Sequence, residues 1–258
     1  MPDDQPPSSP VTHAAQHRDS LLGVAFPTTH WSLVQSAQKD GALAAQAMNE
    51  LCRRYWYPIY AYLRCRGFDR PDAQDITQGF FLHIVTGGLL QHADRSHGKL
   101  RSYLLGALGR HLADHLRHER AEKRGGRAIV LPLEVQTAEE RFQNEPIDRR
   151  DPESLYLAAW AQELLARVQG DLRTYYTKTS RADLFDALQA CLGLDDTLTP
   201  YAGLATRFST SETAMRLQVF RMRRRFGTML RDEVARTVET PAELEEELAW
   251  LSKVLRGG

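Results

Sequence analysis

The chain has 258 residues, enough for two small domains, and 33 acidic side chains balance 33 basic ones. A net charge of zero excludes a uniformly cationic DNA-coating protein. The three cysteines, Cys52, Cys65 and Cys191, are odd in number and unpaired in spacing, which argues against a disulfide framework or cysteine zinc site and fits a reducing compartment.

Residues 1–24 are rich in Pro, Ser and Asp and lack an apolar core, so a disordered tail is expected there rather than a secretory signal. A helix is expected to start near Trp31, capped by a threonine. Residues 42–66 then have Ala47, Leu51, Tyr55, Ile59, Tyr62 and Leu63 on one face, the pattern of a long helix, and Pro58 predicts a kink or break in it. After a turn at 67–71, residues 72–85 should form a helix that buries Ala73, Ile76, Phe80 and Ile84 and places its acids in the first turn, where the helix dipole favours them. Gly87 and Gly88 end it, and a polar loop runs to Gly98.

Leu104, Leu108, Leu112 and Leu116 recur every four residues in the next helix, 100–122, whose far face carries Arg110, Arg117 and Arg120. Residues 127–152 show no sustained periodicity and hold three prolines, so 125–152 is expected to be a linker. Helices resume at 152–170 and 181–191. The last segment, 237–258, opens with Thr240, Pro241 and Glu243 and carries a Leu244, Leu248, Leu251, Leu255 stripe, which predicts a capped helix. No strand is expected, and no run of about eighteen apolar residues predicts a membrane span. The predicted fold is all-α in two lobes, 25–124 and 153–236, and the expected location is the cytoplasm.

Residues 209–230, STSETAMRLQVFRMRRRFGTML, organise the C-terminal lobe. Ser209 and Glu212 have the spacing of a capping box, and Met215, Val219, Met222, Phe226 and Leu230 form one apolar stripe. At 100° per residue the opposite face holds Thr213, Arg216, Leu217, Phe220, Arg221 and Arg224. A short helix, 201–208, precedes a polar turn, and the whole has the form of a helix-turn-helix. The plain alternative is an amphipathic helix with a solvated arginine face. Two basic segments, 95–127 and 207–236, alternate with acidic ones, as two nucleic-acid contacts on one chain would require.

Residues 72–81, DAQDITQGFF, resemble the polymerase-binding helix of extracytoplasmic-function sigma factors. Residues 100–105, LRSYLL, with the helix that follows, look like that family's promoter −10 helix, and 201–230 resembles its −35-binding helix-turn-helix. Residues 26–31, FPTTHW, are similar to the start of a planctomycete-type subgroup. The three motifs stand in the family's order across about residues 40–235.

The resemblance implies a transcription initiation factor whose 72–81 helix docks on the clamp helices of core RNA polymerase through Asp72, Asp75, Gln78 and Phe81, with the flap region as a second contact. Gln74 departs from the family's glutamate, and a phosphate on Thr77 is one way to restore the charge. The loop at 87–98 would capture a flipped promoter base. It offers Arg95 and His97 but no aromatic platform. Arg101, Arg110, Arg117, Arg120 and Lys123 would hold phosphates at the −10 element. Arg216, Leu217, Phe220 and Arg221 fall at the −35 reading positions, Thr213 and Arg224 belong to the same −35-binding face, and Arg223, Arg224 and Arg225 would lie nearer the DNA backbone. An anti-sigma factor or a kinase is a further candidate partner.

His111, His115 and His118 share a helix, but no cysteine or carboxylate set accompanies them, so no metal is expected. No cofactor motif, nucleophile elbow or phosphate loop occurs, and no enzyme activity is expected. Two rival functions remain: a stand-alone helix-turn-helix regulator, and a helical scaffold that binds acidic proteins.

Overall fold

A computed structural model describes residues 30–37, 41–86, 99–121, 135–144, 151–193, 199–238 and 240–255. The expected tail, the loop at 87–98 and the threonine cap before Trp31 lie outside them. The fold is all-α, with no strand among the described residues. The helices are α1 His30–Ala37, α2 Ala42–Cys65, α3 Arg70–Thr86, α4 Leu100–Ala121, α5 Val135–Asn144, α6 Pro152–Lys178, α7 Ala182–Leu188, α8 Tyr201–Arg207, α9 Glu212–Ala235 and α10 Pro241–Leu255. None of the described helices is long and apolar enough to cross a membrane.

Helix α2 is the centre of the larger core. Every residue from Tyr55 to Leu63 is buried, so this stretch is covered on all sides, with α1, α3, α5 and α6 packed on it. Pro58 sits inside that stretch and the helix runs through it unbroken. Local loss of one backbone hydrogen bond costs about 3 kcal/mol, and burial of the surrounding aromatic and aliphatic side chains at about 25 cal/mol per Å² outweighs it.

The expected linker contains α5. Its Ala138 and Phe142, four residues apart, join the main core, while Glu139 is buried against α2. A ten-residue amphipathic turn among charged residues gives little periodicity to read, and its partner is more than seventy residues away.

Helix α6 begins with Asp151 as N-cap, accepting from Glu153 N, and Pro152 in the first turn. It runs past Gly170, the expected end, because its stripe continues into Leu172 and Tyr176. Leu155, Trp160, Leu164 and Val168 belong to the main core. Leu172 and Tyr176 belong to a smaller one with Phe185, Leu188, Tyr201, Met215, Val219 and Met222. Helix α9 also spans both cores, with Val234 in the first. A polar network reinforces that end: Arg54 of α2 pairs with Glu233 of α9 and Glu50 of its own helix, each at 2.7 Å.

Three helices end in the same way. After α2, α6 and α8, residues Gly67, Ser180 and Ser209 take left-handed backbone at φ 93°, 56° and 48°, and the next amide in each case reaches back five residues to a carbonyl. Ser209 is therefore the turn residue, not the cap. The N-cap of α9 is Ser211, whose Oγ accepts from Ala214 N at 3.2 Å.

Candidate nucleic-acid interface

Met215, Val219 and Met222 of α9 are each 1% exposed, pressed against α8 and the end of α6. That fixes the rotation of the helix and turns the opposite face outward. Thr213, Arg216, Leu217, Phe220, Arg221 and Arg224 are all exposed together, with Phe220 at 59% and Leu217 at 45%. Two large apolar side chains set among arginines form a surface of the composition that reads base edges and thymine methyls. Arg216 lies 4.1 Å from the centre of the Tyr201 ring, an approach that limits its freedom before any ligand arrives.

The run Arg223, Arg224, Arg225 has three different fates, as 100° steps require. Arg223 points inward and donates from Nε and Nη2 to the Cys191 carbonyl at 3.0 and 2.8 Å, so it braces the fold and does not face a DNA backbone. Arg224 is exposed. Arg225 stacks on Tyr175 at 3.7 Å. Tyr175, Arg181, Arg221, Arg224 and Arg225 line an open groove of about 540 Å³ between α6 and α9. Tyr175 and Arg181 were not legible as site residues, because nothing in their local spacing reveals that α6 ends beside α9.

Helix α3 divides its expected contacts. Asp72 and Asp75 are exposed, and Asp69 accepts from Asp72 N at 2.9 Å at the helix start. Gln78 and Phe81 are 5% and 1% exposed. Phe81 stacks on Trp56 with ring centres 5.7 Å apart, so these two face the core and not a partner. Thr77 is fully buried, and its hydroxyl donates to the Ala73 carbonyl at 2.6 Å. A phosphate there would have to displace the core.

On α4, Arg110 and Arg117 are exposed, the latter paired with Asp114 one turn away. The side chain of Arg120 lies outside the described residues, as do Lys123, Arg95 and His97. His111 packs on Phe80 and stacks on His83, with ring centres 5.6 and 5.8 Å apart. Burial, then the neighbouring His83 and His115, hold it below the ordinary histidine value. Among the described residues no cluster of three or more His, Cys, Asp or Glu could hold a metal ion.

Arg101 departs furthest from expectation. Its side chain is 6% exposed and ion-paired at 2.5 Å with Glu247 of α10, which is fully buried. The guanidinium lies against two indoles that also touch each other, 4.3 Å from the centre of Trp160 and 4.7 Å from that of Trp250. Lys99 also pairs with Glu247, and Tyr156 Oη donates to the Arg101 carbonyl at 3.0 Å. Burial alone would raise the Glu247 carboxyl, but Arg101 and then Lys99 hold it below its ordinary value. An acidic residue in the stretch 243–247 reads as a solvated charge, so its burial leaves no local trace.

No protein-family model, no curated protein and no solved structure matches the chain.

Proposed function

We propose that the protein is a transcription initiation factor that binds core RNA polymerase and directs it to promoters, with α9 reading duplex DNA at the −35 element and α4 serving the −10 element. The observation that carries this reading is the single exposed row on α9, in which Arg216, Leu217, Phe220, Arg221 and Arg224 share one face while the stripe behind them is buried. A helix fixed in rotation, preceded by a short helix and a tight turn, is suited to enter a major groove. Arg110 and Arg117 supply a second cationic surface on α4, and Asp72 and Asp75 offer carboxylates to basic side chains of the polymerase. The protein acts in the cytoplasm and needs no cofactor in this reading, and we assign it no catalytic step of its own.

The test is size-exclusion chromatography with bacterial core RNA polymerase, followed by run-off transcription from a genomic library. Co-elution and discrete start sites are expected. Promoter binding that is strong without polymerase would favour a stand-alone helix-turn-helix regulator, and absence of both DNA and polymerase binding would leave a scaffold.

A further inference from the structure

Helix α10 is the most lightly held of the long helices. Of its described side chains only Glu247 and Leu251 are buried, whereas twelve residues of α2 are. Yet one of its two buried residues is a carboxylate, set among leucines and Trp250. A buried ion pair seldom stabilises a fold better than apolar residues in place of both partners, but removing one partner leaves the other charge buried and unpaired, so the seat of α10 depends on Glu247 meeting its cations. The acid therefore makes docking specific for the cations beneath it.

Those cations are Lys99, 39% exposed, and Arg101, whose guanidinium lies against Trp160. Without α10 they would present two positive charges and an indole face at the start of α4. Cations beside an aromatic face form the chemistry that holds a single nucleic-acid strand. We propose that Lys99, Arg101 and the face of Trp160 form a binding site for a phosphate of single-stranded DNA, and that α10 is its cover, with Glu247 seated where the phosphate goes. The site rests on the reading of α4 as the helix that serves opened promoter strand. Its own logic is competition between an intramolecular carboxylate and an incoming phosphate for the same guanidinium.

The test uses the full chain, a fluorescein-labelled single-stranded oligonucleotide and no polymerase. Glu247→Gln should free α10, seen as faster hydrogen exchange of its amides. Affinity should rise at least fivefold, and the slope of log K against log salt should steepen by roughly 0.7, for the one phosphate that takes the place of Glu247. Adding Arg101→Met to Glu247→Gln should abolish the gain, since methionine keeps the apolar contact with the indoles and loses the charge. If α10 stays protected in Glu247→Gln, Leu251→Asp is measured in its place. An opened α10 with unchanged affinity and slope overturns the proposal, and so does a gain that survives loss of Arg101. Because polymerase is absent, failure to co-elute with it would sink the initiation-factor reading and leave this result standing, and the converse also holds.

Discussion

Glu139 of α5 and Arg64 of α2 meet in a two-point pair, Arg64 Nη2 donating to Oε1 at 2.9 Å and Nε to Oε2 at 3.0 Å. Tyr60 Oη donates to the same carboxylate, and so does Gln143 Nε2. The Glu139 side chain is 7% exposed, so nearly all its acceptor capacity is used inside the protein. Burial would raise its pKa, but the hydrogen bonds from Arg64, Tyr60 and Gln143 bring it from 4.5 to about 2. The pair anchors α5, and with it the middle of the 125–152 connection, to the central helix.

A carboxylate held low in the folded state contributes stability above its unfolded value, and that contribution is lost as pH falls through the folded one. Glu139→Gln should therefore lower unfolding free energy by roughly 1–3 kcal/mol at pH 7. The gap between wild type and variant should close as pH falls from about 4.5 toward 2. Urea titrations across that range measure it. A gap that stays constant with pH would show that the carboxylate charge is not what holds α5.

The contrast between Glu139 and the stripe of α2 shows what local spacing carries. Ala47, Leu51, Tyr55, Ile59, Tyr62 and Leu63 are buried as their periodicity predicts, because one face of an isolated helix already declares which side is apolar. Met215, Val219 and Met222 do the same for α9, and the exposed row opposite follows from geometry. Glu139, Glu247 and Arg101 declare nothing alone: each is buried only because a partner far along the chain, 148 residues for Lys99 and Glu247, supplies the opposite charge. Gln78 and Phe81 fail for a related reason. A motif defines the helix they occupy but not how deeply the neighbouring Trp56 ring covers its end.

Ser209 bears backbone strain that a glycine would not. At φ 48° its Cβ crowds the following carbonyl, a cost of about 1–2 kcal/mol that only glycine escapes freely. Ser209→Gly should stabilise the protein by up to about 1 kcal/mol after the larger unfolded-state entropy of glycine is deducted. Ser180→Gly should act alike at the end of α6, where φ is 56°. Thermal unfolding should show a rise of about 2–4 °C per kcal/mol. A fall in Tm for both would mean that the serine hydroxyls contribute more than the strain costs.

Arg223 and Arg224 are adjacent and should behave as opposites. Arg223→Ala removes two charge-assisted hydrogen bonds to the Cys191 carbonyl and should cost about 1–3 kcal/mol of stability. Its salt dependence of duplex DNA binding should not change. Arg224→Ala touches an exposed position and should leave stability within about 0.5 kcal/mol, while the slope of log K against log salt becomes shallower by about 0.9 if one phosphate contact is lost. Equal effects of the two substitutions on the slope would place Arg223 at the DNA and contradict its inward position.

Phe220 offers the sharpest separation of function from fold. Its ring is 59% exposed, so Phe220→Ala removes little buried area, and stability should stay within about 0.5 kcal/mol of wild type. If the ring meets a thymine methyl, holoenzyme affinity for its promoter should fall by about 1 kcal/mol, near fivefold. The penalty should disappear on a template whose contacted thymine is replaced by uracil, which lacks that methyl. Arg221→Ala, exposed one residue on, should cost about 1–3 kcal/mol if it meets a guanine edge, with no relief from uracil. Footprinting with reconstituted holoenzyme on matched templates measures both. Losses that are the same on scrambled DNA would reduce the face to a phosphate-binding surface and remove α9 from the reading of sequence.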